Sequence, residues 1–139
     1  MPPQRKAHLI DTNVLLRYLV GDVPQHAEKA RALMERLAAG SERAEVLETV
    51  VAEAAWTLES FYKTPRPEIA DKLATILSFK GVRASQKGLL VSALAKFGST
   101  SADFVDCVLA VKAQQRNLIV YSFDARDFRR LGVAWEAPS

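Results

Sequence analysis

The chain predicts an α/β fold with a mainly parallel central sheet flanked by helices, and three observations carry that expectation. Short apolar runs alternate with longer amphipathic stretches along the whole sequence. One run, Leu118-Ile119-Val120-Tyr121, is continuous enough for a parallel strand covered on both faces. Two runs end on a carboxylate, at Asp11 and Asp124, and in open α/β sheets the ligand crevice lies beyond the carboxyl ends of the strands.

Composition narrows the class. At 139 residues with 49% hydrophobic content the chain suits a single domain, 1–139, able to bury a core. Charged residues of both signs make up 25%, and Gly and Pro number six each, which excludes a disordered or fibrous chain. A net charge of +3 is compatible with a polyanionic partner without demanding one. The single Cys107 excludes an intrachain disulfide framework and, inside Val105-Asp106-Cys107-Val108-Leu109, reads as a core thiol. Met1 to Lys6 is basic, but the apolar stretch before Asp11 is too short for a signal peptide and nothing approaches a membrane span, so a cytoplasmic protein is expected.

Each element follows from its pattern. Residues 7–10 form the first strand, with His8 a packed or surface imidazole, and Asn13 to about Val20 continue as a helix ended by Gly21-Asp22. After Pro24, Ala27, Ala30, Leu33, Met34 and Leu37 recur at helical spacing as far as Gly40. Residues 44–48 predict a short strand, and Thr49 an N-cap for a helix carrying Val50, Val51, Ala54, Ala55, Leu58, Phe61 and Tyr62. Glu53 falls at the border of that apolar face, where a carboxylate needs a partner, either an ion-pairing Arg or Lys or a bound cation. Thr64-Pro65-Arg66-Pro67 breaks the helix and begins another with Ile69, Leu73, Ile76 and Leu77 inward, ended by Gly81. Val82-Arg83-Ala84 suggests a strand; Ser85 then caps a helix with Leu89, Leu90, Ala93, Leu94 and Phe97 inward, ended by Gly98. Ser99-Thr100-Ser101 offers an N-cap for a helix over 102–115, residues 118–121 form a strand, 125–130 a short basic helix, and Val133-Ala134-Trp135 an edge strand.

The polar residues at the ends of these elements form the candidate site. Asp11, Thr12 and Asn13 follow the first strand, and Ser122 and Asp124 follow the strand at 118–121; Asp11 or Thr12 serves equally well as a helix cap. Asp103 and Asp106 lie three apart near a helix N-terminus, where the dipole favours negative charge. Asp103, three residues after Thr100, fits a capping box, whereas Asp106 is a turn deeper among apolar neighbours and harder to explain structurally. Right-handed crossovers would bring Asp11, Asp106 and Asp124 to one sheet edge, with Glu53 joining from its helix. Four carboxylates in one pocket repel unless protonated or neutralised by metal, and Mg²⁺ or Mn²⁺ suits an all-oxygen set that acts on phosphodiesters. The Cys and His clusters that suit zinc are absent.

Leu9-Ile10-Asp11-Thr12-Asn13-Val14-Leu15, Val51-Ala52-Glu53-Ala54-Ala55-Trp56-Thr57-Leu58, Asp103 to Ala110 and Val120 to Phe128 occur in an order and at a spacing that resemble the PIN-domain nucleases, and within them the VapC-type toxins of bacterial toxin–antitoxin pairs. The resemblance covers essentially the whole chain and implies a PIN-like three-layer sandwich. It makes Asp11, Glu53, Asp106 and Asp124 the acidic quartet, catalytic and metal-ligating, with Thr12 or Ser122 as auxiliary hydroxyls and Asn13 as a brace. Cys107 directly after Asp106 is a mild departure from the family pattern, and Asp103 and Asp127 remain alternatives or supplements to Asp106 and Asp124. It further implies a metal-dependent endoribonuclease, a homodimer, and a small antitoxin that occupies the groove. Arg126, Arg129, Arg130 and Lys112 lie near Asp124 or on its neighbouring helix and are candidates for RNA phosphate contacts, or ordinary solvated surface. The rival class is a non-catalytic metal- or RNA-binding module of the same fold. A phosphate-accepting aspartate domain is disfavoured because no Asp-x-Asp pair follows the first strand.

Overall fold

A computed structural model describes residues 7–139, so the basic stretch Met1 to Lys6 considered for a leader lies outside the described residues. Seven helices and four short strands are found among them: α1 (Thr12–Val20), α2 (Pro24–Ala39), β1 (Ala44–Glu45), α3 (Glu48–Ser60), α4 (Arg66–Ser78), β2 (Val82–Arg83), α5 (Lys87–Ser99), α6 (Phe104–Arg116), β3 (Val120–Tyr121), α7 (Ala125–Arg130) and β4 (Trp135–Glu136). The class is α/β, mostly helical, and every strand pairing among the described residues is parallel, as the alternating pattern requires. No described helix is long and apolar enough to cross a membrane.

The chain divides into two compact units. The first takes residues through Ala54 with Thr75–Ser85; the second takes Ala55–Ala74 with Gln86–Ser139. In the first, β1 lies beside β2 with Ala44 opposite Val82, and Leu9 bridges Glu45 on the other side. Helices α1 and α2 pack together, burying Leu15, Leu16, Met34 and Leu37. Left-handed Gly21 and Gly40 end these two helices, as their positions predict. In the second unit α5 packs on α6, and β3 pairs with β4 with Val120 opposite Trp135, the two strands joined through α7.

The apolar stripes of α4 and α5 hold throughout. Ile69, Leu73, Ile76 and Leu77 of α4 and Leu89, Leu90, Ala93, Leu94 and Phe97 of α5 are all buried. In α6 the inward stripe is Phe104, Cys107, Val108, Ala110 and Val111, while Val105 and Leu109 face outward; Phe61 and Tyr62, expected on the helix after Thr49, lie past the end of α3 at Ser60, and Phe61 is exposed.

The strands are shorter than the apolar runs, for identifiable reasons. At 7–10 only Leu9 makes a bridge, because the chain turns at once into α1 from Asp11. The run expected over 44–48 stops at Glu45: the amides of Val50 and Val51 turn back to the Leu47 carbonyl, so the helix begins at Glu48 and Thr49 lies inside it. Leu118 donates its amide to Ala113 at 2.8 Å in the closing turn of α6, so β3 starts only at Val120. Leu118, Ile119 and Tyr121 are exposed, contrary to a strand covered on both faces. Gly98 does not end α5, which runs to Ser99; it faces Ala70 of α4 so closely that a Cβ would stand 2.9 Å from the Ala70 Cβ. Gln86 rather than Ser85 precedes that helix, at φ 55° and without a side-chain cap.

Gly81 is the tightest point of the first unit. Its amide donates to the Leu37 carbonyl at 2.7 Å, its carbonyl accepts from Ala44 at 3.0 Å, and a Cβ there would meet the Glu42 carbonyl oxygen at 1.9 Å. Backbone cannot give way as a flexible side chain can, so Gly81→Ala forces the start of β2 away from the connection between α2 and β1. The expected cost is about 1–3 kcal/mol in urea unfolding; an unchanged midpoint would mean that the approach relaxes freely.

Candidate functional site

The start of α6 is built to present acid. Asp103 is its N-cap residue, with extended backbone (φ −61°, ψ 151°) but no side-chain capping hydrogen bond, and Asp106 occupies the third helical position. The capping box suggested for Thr100 and Asp103 does not form. Thr100 Oγ1 instead donates to the Lys96 carbonyl at 2.7 Å and accepts from the Ala102 amide at 3.3 Å, because α5 ends directly behind it. The helix N-terminus favours a carboxylate at Asp106, while its half-buried position disfavours one.

The other acids of this unit come from the end of β3. The Ser122 amide donates to Glu136 at 3.1 Å, extending the parallel ladder by one bond, and its Oγ accepts from the Asp124 amide at 2.9 Å. Asp124 is the N-cap of α7 and accepts from the Asp127 amide at 3.4 Å. Asp106, Asp124 and Asp127 thereby bring carboxylate oxygens within 4.8 Å of one another. Burial, then the negative charges of Asp103, Asp127 and Asp124, push the Asp106 carboxyl above its ordinary value. Asp127 is thus a full member of the cluster rather than a substitute for Asp124. Its spacing of three from Asp124, repeating that of Asp103 and Asp106, was the available signal.

Three converging carboxylates, with no nitrogen or sulfur donor among them, suit a hard divalent cation better than zinc. Cys107, next to Asp106, takes no part: it is fully buried, burial pushes its thiol up, and its Sγ lies 3.9 Å from the Ala102 carbonyl. The remaining candidates of the second unit are Ser122 after β3, Lys112 on α6 and the three arginines of α7. Ser122 and Lys112 are half-buried and Arg126 is exposed. The Arg129 guanidinium stands 5.8 Å from the centre of the Trp135 ring, and Arg130 donates to Ser101 Oγ at 2.8 Å.

Asp11, Thr12, Asn13 and Glu53 belong to the first unit. Asp11 is exposed and caps α1, accepting from the Thr12 amide at 2.9 Å, so the capping role foreseen for it is realised whatever else it does. Thr12 is the buried polar residue of the described chain at 4% exposure, and Asn13 is exposed. Glu53 is exposed rather than at a buried border, so burial imposes no need for a partner, and it enters none of the ion pairs among the described residues. Arg66, which the sequence offers only as part of the helix break Thr64–Pro67, pairs with Glu59 at the end of α3.

The raised Asp106 carboxyl has a signed consequence for stability. A group whose folded value lies above its unfolded value destabilises the fold where it must ionise, so the penalty is absent in acid and grows as pH rises through that window. In metal-free protein, Asp106→Asn is expected to raise the Tm at pH 7 by up to about 4 °C, corresponding to less than about 1 kcal/mol for a partly solvated group. The gain should vanish below about pH 4, the unfolded carboxylate range. Melts in EDTA across pH test this; a gain that persists in acid would point to packing instead of charge.

The cluster's setting agrees with comparison to known proteins. A family model described as the PIN domain matches residues 8–134. A VapC ribonuclease of Aquifex aeolicus (strain VF5) is 30% identical over 124 residues, covering 89% of this chain and 91% of that protein. The matched span contains the end of the first apolar run, α3, the start of α6 and the β3–α7 turn, each with the acids described above. With nearly its whole length matched, the chain belongs to the PIN-domain family and is a relative of the VapC ribonucleases.

Proposed function

We propose that this protein is a metal-dependent endoribonuclease, the toxin of a bacterial toxin–antitoxin pair, working as a single PIN-like domain in the cytoplasm. The observation that carries the reading is the Asp106, Asp124 and Asp127 cluster, which lies inside the span matched by the PIN family. Asp11 and Glu53 are proposed as further members of the acidic set on the strength of their motifs in a family chain, with Thr12, Asn13 and Ser122 bracing it. A three-layer sandwich is the arrangement expected of this family, and parallel pairing throughout the described strands is consistent with it.

The donor set fits Mg²⁺ or Mn²⁺, which prefer oxygen ligands. Such an ion supplies charge neutralisation at a phosphodiester and makes water a competent nucleophile near neutral pH. The protein's own part is positional. Ser122 fixes the Asp124 backbone, Asp124 holds Asp127 across the first turn of α7, and the α6 N-terminus steadies Asp106. Arg126, Arg129, Arg130 and Lys112 are proposed to hold the RNA backbone beside these acids. The expected partners are an RNA substrate, a second copy of the chain and a small antitoxin protein.

Purified protein freed of any bound inhibitor should cleave mixed cellular RNA with Mg²⁺ or Mn²⁺, and EDTA should stop it. Asp11→Asn and Asp106→Asn should each lower the rate by at least about 100-fold without loss of fold, since each removes a charge that attracts the ion. Cleavage that survives both EDTA and the substitutions would overturn the mechanism; RNA binding without cleavage by the wild type would favour a non-catalytic module.

Binding of single-stranded RNA should weaken as salt rises. Replacing Arg126, Arg129 and Arg130 together by Gln should reduce the logarithmic salt slope by about 0.7 for each phosphate that is no longer neutralised. An unchanged slope would put the RNA path elsewhere.

A further inference from the structure

We propose that Arg66 is a positioning residue for the acidic cluster: it clamps the segment that launches α6 and so sets where Asp106 stands. This rests on the metal-site reading above and adds a residue that none of the four acidic motifs contains.

Arg66 is the first residue of α4, where the helix dipole disfavours a cation, so the local context gives no reason for it. Its surroundings do. Nη1 donates to three backbone carbonyls, those of Phe97 at 3.3 Å, Thr100 at 3.1 Å and Ala102 at 2.6 Å. Nε and Nη2 engage both oxygens of Glu59, the second at 3.2 Å, in a bidentate pair across the α3–α4 turn. The guanidinium also lies 4.2 Å from the centre of the Phe97 ring.

The carbonyls it holds are the ones α5 leaves open at its C-terminus and those of the connection to α6. Ala102, which takes the shortest of the three bonds, immediately precedes the N-cap Asp103, and Asp106 follows three residues later. Phe97 in turn meets the first residue of α6, with the Phe104 ring edge-on at 6.2 Å. A flexible connection would let the first turn of α6 fray, as helix termini do, and spread Asp106 away from Asp124 and Asp127. One planar cation with five fixed donors holds it from a single side, which a lysine cannot reproduce.

The test compares wild type with Arg66→Met and Arg66→Lys, using Mn²⁺ titration by calorimetry and amide hydrogen exchange in metal-free protein. Arg66→Met should exchange at least about tenfold faster over residues 102–106, with α1 and α2 unchanged, and should weaken Mn²⁺ binding about 10- to 100-fold, the range for outer groups that orient ligands. Arg66→Lys, which keeps the charge and part of the donor set, should recover part of both and stands in if Arg66→Met does not fold. Gly81→Ala, a general destabiliser remote in sequence from the segment, should leave the Mn²⁺ affinity within about twofold and so separates positioning from mere loss of stability. Unchanged exchange at 102–106, or wild-type Mn²⁺ affinity in a folded Arg66 variant, overturns the proposal. Wild-type protein that takes up no Mn²⁺ overturns the metal reading instead, and the exchange result then decides alone whether Arg66 orders the segment.

Discussion

Three carboxylates held with oxygens within 4.8 Å of one another are the constraint to which the second unit is fitted. Water would separate them, so the fold must supply what solvent would otherwise give. It does so with two helix N-termini, α6 under Asp106 and α7 under Asp124 and Asp127, and with the amide of Asp127 on Asp124. The balance still falls on the unfavourable side at Asp106, where burial and neighbouring charge raise the carboxyl. A positive charge near these oxygens would offset that repulsion, as the proposed metal site requires.

The surrounding architecture keeps the acids from relaxing apart. The β3–α7–β4 crossover fixes the turn that carries Asp124 and Asp127, with Phe128 buried beneath it and Arg130 tied to Ser101 in front of α6. On the other flank, Arg66 joins α3, α4, α5 and the start of α6 through one side chain. The exposed Arg130–Ser101 bond adds little free energy by itself; the part-buried Arg66 contacts add more, and both reduce the number of arrangements open to the loops between helices.

How much of this was legible in the sequence depended on whether a residue's role was set by its neighbours in the chain. Helices α4 and α5 could be read from their stripes because 3.6-residue periodicity is a local property, and Cys107 from its apolar flanks. Strand length was not legible, since it depends on where ladder partners stop: Leu118 is drawn into the α6 terminus and Leu47 into the turn that begins α3. The acids at 106 and 124 were named from position, yet Asp103 was given a capping box that Thr100 forgoes, and Asp127 was left as an alternative although it completes the cluster. Arg66 was invisible because the carbonyls it serves lie 31 to 36 residues away, and nothing in a run of prolines and a basic residue points to them.

The burial of the one cysteine makes the molecule its own reporter. Cys107 sits one residue beyond Asp106 with no exposed surface, so a thiol reagent reaches it only when the first turns of α6 open. With a single sulfhydryl in the chain, the labelling rate reads that one opening equilibrium without mutation or isotope. A ligand that binds only the folded state lowers that opening equilibrium, so its affinity can be followed as protection of the sulfur.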